Sequence, residues 1–272
     1  MSTEARNPRS IGLDTMSPVE IVRLMNEEEL AVIRSLQQAE SEIAQAMQKA
    51  AEAYLNGGRI IYVGAGTSGR IATMDAAEMP PTFGTDPSQF VAIVAGGETA
   101  GVRAVEDAED DDHAAVTALN DLKISTSDVV IGLAASGRTP FVIAACRHAR
   151  QKGVWTCGIA NNRHAPLLDH VDLPILLETG PEVLTGSTRL KAGTAQKLIL
   201  NRISTGAMVL AGKVIENLMV DVKAKNLKLK ERCVRIVQEL TPATQEEATH
   251  LLETNEWNVR RVLEELKSRS GS

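Results

Sequence analysis

With 272 residues, 43% hydrophobic and 24% charged, the chain has the composition of an ordinary globular protein large enough for one α/β domain and a small appendage. A net charge of −6 excludes a nucleic-acid surface as its main working face, while leaving room for a local pocket that holds one phosphate. No apolar run approaches the ~20 residues of a membrane span, and the polar opening has no signal-peptide core, so a cytoplasmic protein without membrane or nucleic-acid partners is expected.

Residues 1–17 are polar, interrupted by Pro8 and Gly12, and read as an extended arm. Ser17-Pro18-Val19-Glu20 starts a helix, with an N-cap hydroxyl, proline at the first helical position and an acid in the first turn. Helical pattern runs on to Tyr54 and stops at Asn56-Gly57-Gly58. Short β-branched runs follow at 59–63, 90–94, 128–133, 154–159 and 173–177, with helical stretches such as 139–152 between most of them. That alternation predicts an α/β protein with helices on both faces of a parallel sheet of five strands. An apolar helical pattern returns from Lys191 to about Gly212. Beyond it, Thr241-Pro242 reads as a helix start, and Pro242, Ala248, Leu251, Leu252, Trp257, Val259, Val262 and Leu266 predict a small three-helix core, spaced like a ubiquitin-associated bundle. The expected divisions are an N-terminal arm with helices (1–56), a central α/β domain (57–230) and a C-terminal helical module (231–272).

Two loops carry chemistry. Gly64-Ala-Gly-Thr-Ser-Gly-Arg70 follows the first strand and matches G-x-G-x-x-G, but a dinucleotide site needs an acid at the end of the second strand. That strand ends Ala95-Gly96-Gly97, so the dinucleotide reading lacks its ribose anchor. A helix start with Thr67, Ser68 and Gly69 suits a phosphate monoester instead. Ser136, Gly137, Arg138 and Thr139, ahead of Pro140 and after the third strand, form a second anion nest of the same kind. Either loop alone is equally well a tight strand-to-helix turn; the two together favour a ligand. Cys146, Cys157 and Cys233 lack CxxC spacing and read as small buried hydrophobes, and the five histidines show no metal-binding spacing. No metal or cofactor is expected.

Longer blocks narrow the reading: Asp75-Ala-Ala-Glu-Met-Pro-Pro-Thr-Phe-Gly84, Val105-Glu-Asp-Ala-Glu-Asp110 and the eighteen-residue Gly180-Pro-Glu-Val-Leu-Thr-Gly-Ser-Thr-Arg-Leu-Lys-Ala-Gly-Thr-Ala-Gln-Lys197. With the first loop, these resemble the N-acetylmuramic acid 6-phosphate etherases and their relative, the glucokinase regulatory protein. The resemblance runs from Thr3-Glu-Ala-Arg-Asn-Pro8 through Asn217-Leu-Met-Val-Asp-Val222 into the C-terminal helices. It implies the sugar isomerase (SIS) fold, a flavodoxin-like three-layer α/β/α sandwich, and a lyase that releases D-lactate from N-acetylmuramic acid 6-phosphate in cell-wall amino-sugar recycling. Met79 stands where such enzymes often carry Cys and Asp107 where they often carry Gly; neither falls on the matched glutamates.

Those matched glutamates are Glu78 and Glu109, implied respectively as the acid for the departing lactate and the base at C2. An unactivated alkyl ether resists direct hydrolysis, whereas elimination from the open-chain aldehyde needs one base and one acid, which two carboxyl groups supply. Pro80-Pro81 is expected to end any helix just after Glu78. Glu109 lies in an acidic run, 106–112, that by pattern alone reads first as a solvated surface, and the resemblance is what marks it as catalytic. Within the long block, the resemblance makes Glu182, Ser187 and Lys191 substrate-binding candidates. On the residues alone, Ser187, Thr188, Arg189 and Lys191 close the phosphate pocket or cap the following helix. The long N-terminal helices and arm point to a homodimer. Phosphosugar isomerisation and non-catalytic phosphosugar sensing share the fold and both loops, but isomerisation does not call for the glutamate pair, and the regulatory relative looks like two such domains.

Overall fold

The computed structural model describes residues 2–97, 99–103, 105–224 and 226–270. Ahead of the first long helix the arm coils into three 3-10 turns, Ser2–Glu4, Pro8–Ser10 and Leu13–Thr15, with Thr3 and Asn7 buried. Helix α1 (Pro18–Gln38) opens on a capping box: the Ser17 hydroxyl accepts from the Glu20 N–H, and the Glu20 carboxylate accepts from the Ser17 N–H at 2.8 Å. Ala39, with φ −105°, separates α1 from α2 (Glu40–Leu55). Small Ala46, Ala50 and Ala53 line one buried face of α2.

The chain then alternates: β1 (Ile60–Gly64), α3 (Gly66–Phe83), β2 (Phe90–Val94), α4 (Thr99–Val102), α5 (Asp112–Asp121), β3 (Val129–Leu133), α6 (Pro140–Gln151), β4 (Trp155–Ala160), β5 (Leu173–Leu176) and α7 (Lys191–Leu210). The five strands form one parallel sheet in the order β2-β1-β3-β4-β5. β1 and β3 are buried along their whole length, as the central strands of a doubly covered sheet must be. Because the chain leaves β1 in one direction and returns to β3 on the other side, the strand order reverses between them. Ligands bind outside the carboxyl ends of strands at such a switch point.

One buried carboxyl inside this layer is held by three donors. Asp75 on α3 accepts from Tyr62 Oη (3.0 Å), Asn201 Nδ2 (2.8 Å) and Ser204 Oγ (3.1 Å). Burial raises its pKa, against the pull of those hydrogen bonds. All three cysteines are buried and free; burial pushes the Cys146 thiol up to about 12, the Cys157 thiol higher still and Cys233 to about 11.

The chain separates into two compact units, Met1–Ala76 with Ser88–Ala207, and Ala77–Pro87 with Met208–Ser272. The second contains a two-stranded antiparallel hairpin, β6 (Val214–Ile215) and β7 (Leu218–Met219), and the helices α8 (Leu227–Leu240), α9 (Gln245–Thr254) and α10 (Val259–Ser270). Cys233, Ile236 and Val237, Leu251 and Leu252, and Val259, Val262 and Leu263 form its apolar centre. The three-helix core is present, but its first helix is α8, upstream of Thr241-Pro242, and Pro242 is exposed outside it. Thr241 is extended and its hydroxyl donates back to the Val237 carbonyl at 2.7 Å; Thr244 provides the cap of α9, accepting from Glu247 N–H at 3.2 Å. Also unlike the expectation, α3 continues through Pro80 and Pro81 to Phe83. Helical φ suits proline; its missing N–H leaves the carbonyls of Ala76 and Ala77 without a helical donor. The buried Met79 and Phe83 anchor this last turn, and Gly84 N–H closes it on the Pro80 carbonyl at 3.1 Å.

Candidate active site

Parallel pairing of β1 with β3 places Gly64 beside Leu133, so the two loops leave adjacent strand ends. Neighbouring strands lie ~4.8 Å apart, within the reach of one small anion. In the β1–α3 turn the chain passes directly into the helix at Gly66. A Cβ on Gly64 would stand 2.7 Å from the Gly69 nitrogen, so only glycine lets the helix start close back on the strand. Ser68 is buried beneath the turn and Thr67 partly so; among the described residues neither hydroxyl has a hydrogen-bond partner.

The β3–α6 turn holds its shape by other means. Gly137 has φ +66°, and a Cβ there would meet the Ala165 Cβ at 2.2 Å. Its N–H returns to the Ala134 carbonyl at 2.9 Å and its carbonyl accepts from Leu167 N–H at 2.9 Å. Ser136 Oγ accepts from Arg138 N–H at 3.1 Å, which leaves the Ser136 hydrogen to donate to an anion. Thr139 is the N-cap residue of α6 yet makes no side-chain cap bond, so the helix start is open to a ligand. Arg138 is exposed at the rim.

The long block begins as a loop and ends in α7. Glu182 is fully buried, and its carboxylate accepts from the N–H groups of Lys191 and Ala192, both at 3.0 Å. It therefore caps α7. Burial raises its pKa, with those two backbone bonds pulling the other way. Lys191, 3% exposed, turns inward to Glu28 of α1, Nζ to Oε2 at 2.5 Å. Glu28 also accepts from Asn7 Nδ2 at 2.8 Å and Arg9 Nη1 at 2.9 Å. Burial works to raise the Glu28 pKa, but the Lys191 and Asn7 hydrogen bonds and both cations outweigh it and hold the carboxyl below its ordinary value. Ser187 is half-buried in the loop ahead of the helix, and a Cβ on Gly193, in the first turn of α7, would come within 3.5 Å of the Thr67 methyl. The starts of α3 and α7 thus face each other.

Of the two matched glutamates, Glu109 belongs to the first unit. It lies on a five-residue 3-10 turn, Glu106–Asp110, between β2 and α5, and is exposed. Its neighbour Ala108 packs on the apolar layer beside Gly96, and Asp111 caps α5 by accepting from Ala114 N–H at 2.9 Å. The acidic run is thus divided: Asp111 has a helix to cap, while Glu109 is presented at the carboxyl end of an edge strand. Glu78 belongs to the second unit, exposed on the penultimate turn of α3 and followed by the buried Met79.

Comparison with known proteins decides the family. The chain is 47% identical to an N-acetylmuramic acid 6-phosphate etherase of Lactobacillus acidophilus across 99% of its own length and 91% of the relative's. It is 50% identical to the etherase of Geobacillus thermodenitrificans across 97% and 89%, and 50% identical to that of Serratia proteamaculans across 95% and 87%. The chain belongs to the N-acetylmuramic acid 6-phosphate etherase family. A profile of the glucokinase regulatory protein N-terminal SIS domain matches residues 42–150, and the SIS domain profile matches 102–202. The fold agrees: phosphoheptose isomerases from Francisella tularensis (TM-score 0.54, 18% identity, 71% of this chain and 98% of that one) and Neisseria gonorrhoeae (0.51, 23%, 70% and 98%) superpose on it.

For an etherase-family chain, the structure thus groups Thr67, Ser68 and Gly69 with Ser136, Gly137, Arg138 and Thr139 at the switch point, and Ser187 ahead of the facing helix. Glu182 and Lys191 are engaged with protein groups instead. Sequence reading missed Asn161 and Asn162, which follow β4. Asn161 N–H and Asn162 Nδ2 both donate to the Ala135 carbonyl, at 3.0 and 2.9 Å. An asparagine pair directly after a buried strand was the available signal.

Proposed function

We propose that this protein converts N-acetylmuramic acid 6-phosphate and water to N-acetylglucosamine 6-phosphate and D-lactate, acting as a carbon–oxygen lyase. The observation that carries the reading is the pair of helix starts, each lined by small hydroxyl residues, on adjacent strands at the switch point of a chain whose relatives are etherases. The phosphate accepts N–H and O–H bonds from Thr67, Ser68, Gly69, Ser136, Gly137 and Thr139, with Arg138 and Ser187 closing around the sugar. Glu182 and Lys191 serve as the frame that fixes the start of α7.

Chemistry falls to the two glutamates. Glu109 removes the C2 proton, acidic because it lies α to the open-chain aldehyde, and Glu78 protonates the lactate oxygen as the C3–O bond breaks. Water then adds at C3 of the unsaturated aldehyde, giving up a proton to the now basic carboxylate, while C2 recovers its proton from the other. Protons balance over the cycle, and two carboxyl groups suffice without a metal or cofactor. Incubation with N-acetylmuramic acid 6-phosphate and assay of D-lactate tests the reading; absence of lactate would sink it.

The protein works as a cytoplasmic homodimer in this reading. No described helix is long and apolar enough to cross a membrane. Val19, Val22, Leu30 and Ile33 leave one face of α1 apolar and exposed, by 65%, 58%, 54% and 44%, as a subunit contact requires. A monomer mass by light scattering at micromolar protein, with full activity, would count decisively against the dimer.

A further inference from the structure

The N-terminal segment is tied to the phosphate turn through one side chain. Thr3 is fully buried and Asn162 2% exposed. Asn162 Oδ1 accepts from Ser2 Oγ at 3.0 Å and Thr3 N–H at 3.3 Å, while its Nδ2 donates to Thr3 Oγ1 at 3.0 Å and to the Ala135 carbonyl at 2.9 Å. With both ends of the amide committed, Asn162 has one orientation available, and that orientation pins the carbonyl next to Ser136. Remove the Thr3 hydroxyl and Asn162 Nδ2 loses one of its two acceptors inside a nearly dry site, where an unmade bond costs most.

The rest of the segment runs on to other parts of the same perimeter. The Glu4 carboxylate lies over Gly186, Asn7 Nδ2 reaches the Pro181 carbonyl at 3.3 Å, and Arg9 joins the Glu28–Lys191 pair ahead of α7. Ordering a terminal segment costs backbone entropy, which is usually met by apolar burial. Here the buried residues are Thr3 and Asn7, both polar, and their bonds converge on the loops around the phosphate site.

We propose that residues 2–9 are a positioning element for phosphosugar binding, with Thr3 acting through Asn162 and the Ala135 carbonyl to set the Ser136 hydroxyl. Thr3 touches no substrate in this scheme; it is a positioning residue. The proposal rests on the assignment of the β3–α6 turn as a phosphate site.

Thr3→Val keeps the shape and removes the hydroxyl; Thr3→Ser keeps the hydroxyl. Binding of N-acetylglucosamine 6-phosphate by calorimetry and steady-state kinetics with N-acetylmuramic acid 6-phosphate give the readouts. For Thr3→Val, Kd and KM are expected to rise about five- to tenfold with kcat within about twofold, and Thr3→Ser is expected to restore both. Combined with Ser136→Ala, Thr3→Val should add little, since both act on one hydroxyl. If Thr3→Val proves too unstable to assay, Asn162→Ser carries the same expectation. Wild-type affinity in Thr3→Val, no recovery in Thr3→Ser, or additive losses in the double variant would each overturn the proposal. Failure of the wild type itself to bind N-acetylglucosamine 6-phosphate would remove the phosphate-site assignment, and the proposal with it.

Discussion

The two glycine turns proposed to hold the phosphate leave neighbouring strands in the same direction, yet they are kept in shape differently. The β1–α3 turn is packed against its own backbone, with Gly64 pressed on Gly69. The β3–α6 turn is held from outside: Ala165 against Gly137, Leu167 on its carbonyl, Asn161 and Asn162 on the carbonyl before it, and the N-terminal segment behind them. A motif of seven consecutive residues therefore contains nearly all that the first turn needs. The second is a tertiary structure that a local motif only hints at.

The sharpest test of that division lies outside both turns. If the turns bind and the glutamates react, Glu109→Gln and Glu78→Gln should each cost ~10²–10⁴-fold in kcat while leaving N-acetylglucosamine 6-phosphate binding near wild type. Glu109→Gln should also abolish exchange of the C2 proton with deuterated solvent, whereas Glu78→Gln should lose lactate release and keep part of the exchange. Loss of product binding in either variant would break the separation of binding from chemistry.

Next in size are the glycines. Gly64→Ala and Gly137→Ala should each destabilise the fold by ~1–3 kcal/mol, read from urea unfolding. The comparison predicts different rescues. Ala165→Gly should recover part of the loss in Gly137→Ala, because the clash there is with a side chain. No such partner exists for Gly64→Ala, whose Cβ meets backbone. Equal failure to rescue would mean that the left-handed φ of Gly137, and not the outside contact, is what matters.

A smaller effect is expected at the hydroxyl proposed to donate to the anion. Ser136→Ala should weaken product binding about tenfold, the loss of one bond to a charged group worth ~1.5 kcal/mol. An unchanged Kd would remove Ser136 from the site.

The least effect is at the far end of the N-terminal segment, and it depends on pH. The Glu28 carboxyl titrates below its ordinary value of 4.5, so its bonds to Lys191, Asn7 and Arg9 contribute fully above that value and are lost as pH falls through the lower folded one. The urea midpoint of the wild type should therefore fall more steeply below about pH 4.5 than that of Glu28→Gln. Parallel curves would show that Glu28 is not the group responsible.

Sequence reading and structure part company along the same line. The strands were legible because each is a β-branched run between breakers, and Asn56-Gly57-Gly58 stops α2 as glycine-rich sequence should. The first turn was legible from Gly64 to Arg70. Helix α8 was not, since Thr241-Pro242 imitates a helix start; the true cap is Thr244, and Thr241 bonds backward to Val237 instead. The capping role of Glu182 was hidden because it reaches a helix that starts nine residues later across a loop, where caps are ordinarily sought next door. Glu28 with Lys191 and Thr3 with Asn162 are 163 and 159 residues apart, distances over which no periodicity carries information. Polar pairs of this kind emerge only when the sheet has brought their loops together.

The buried cysteines offer a way to time the opening of each unit by itself. A thiol reacts as its thiolate, and these three are both hidden and held protonated at neutral pH. A colorimetric disulfide reagent added to the native protein must wait for a local or global opening before it finds one. Cys146 and Cys157 are consumed only when the sheet layer opens, Cys233 only when the helical unit does. The order in which the three are labelled, read by mass spectrometry, would then rank the kinetic stabilities of the two units within a single unmodified chain.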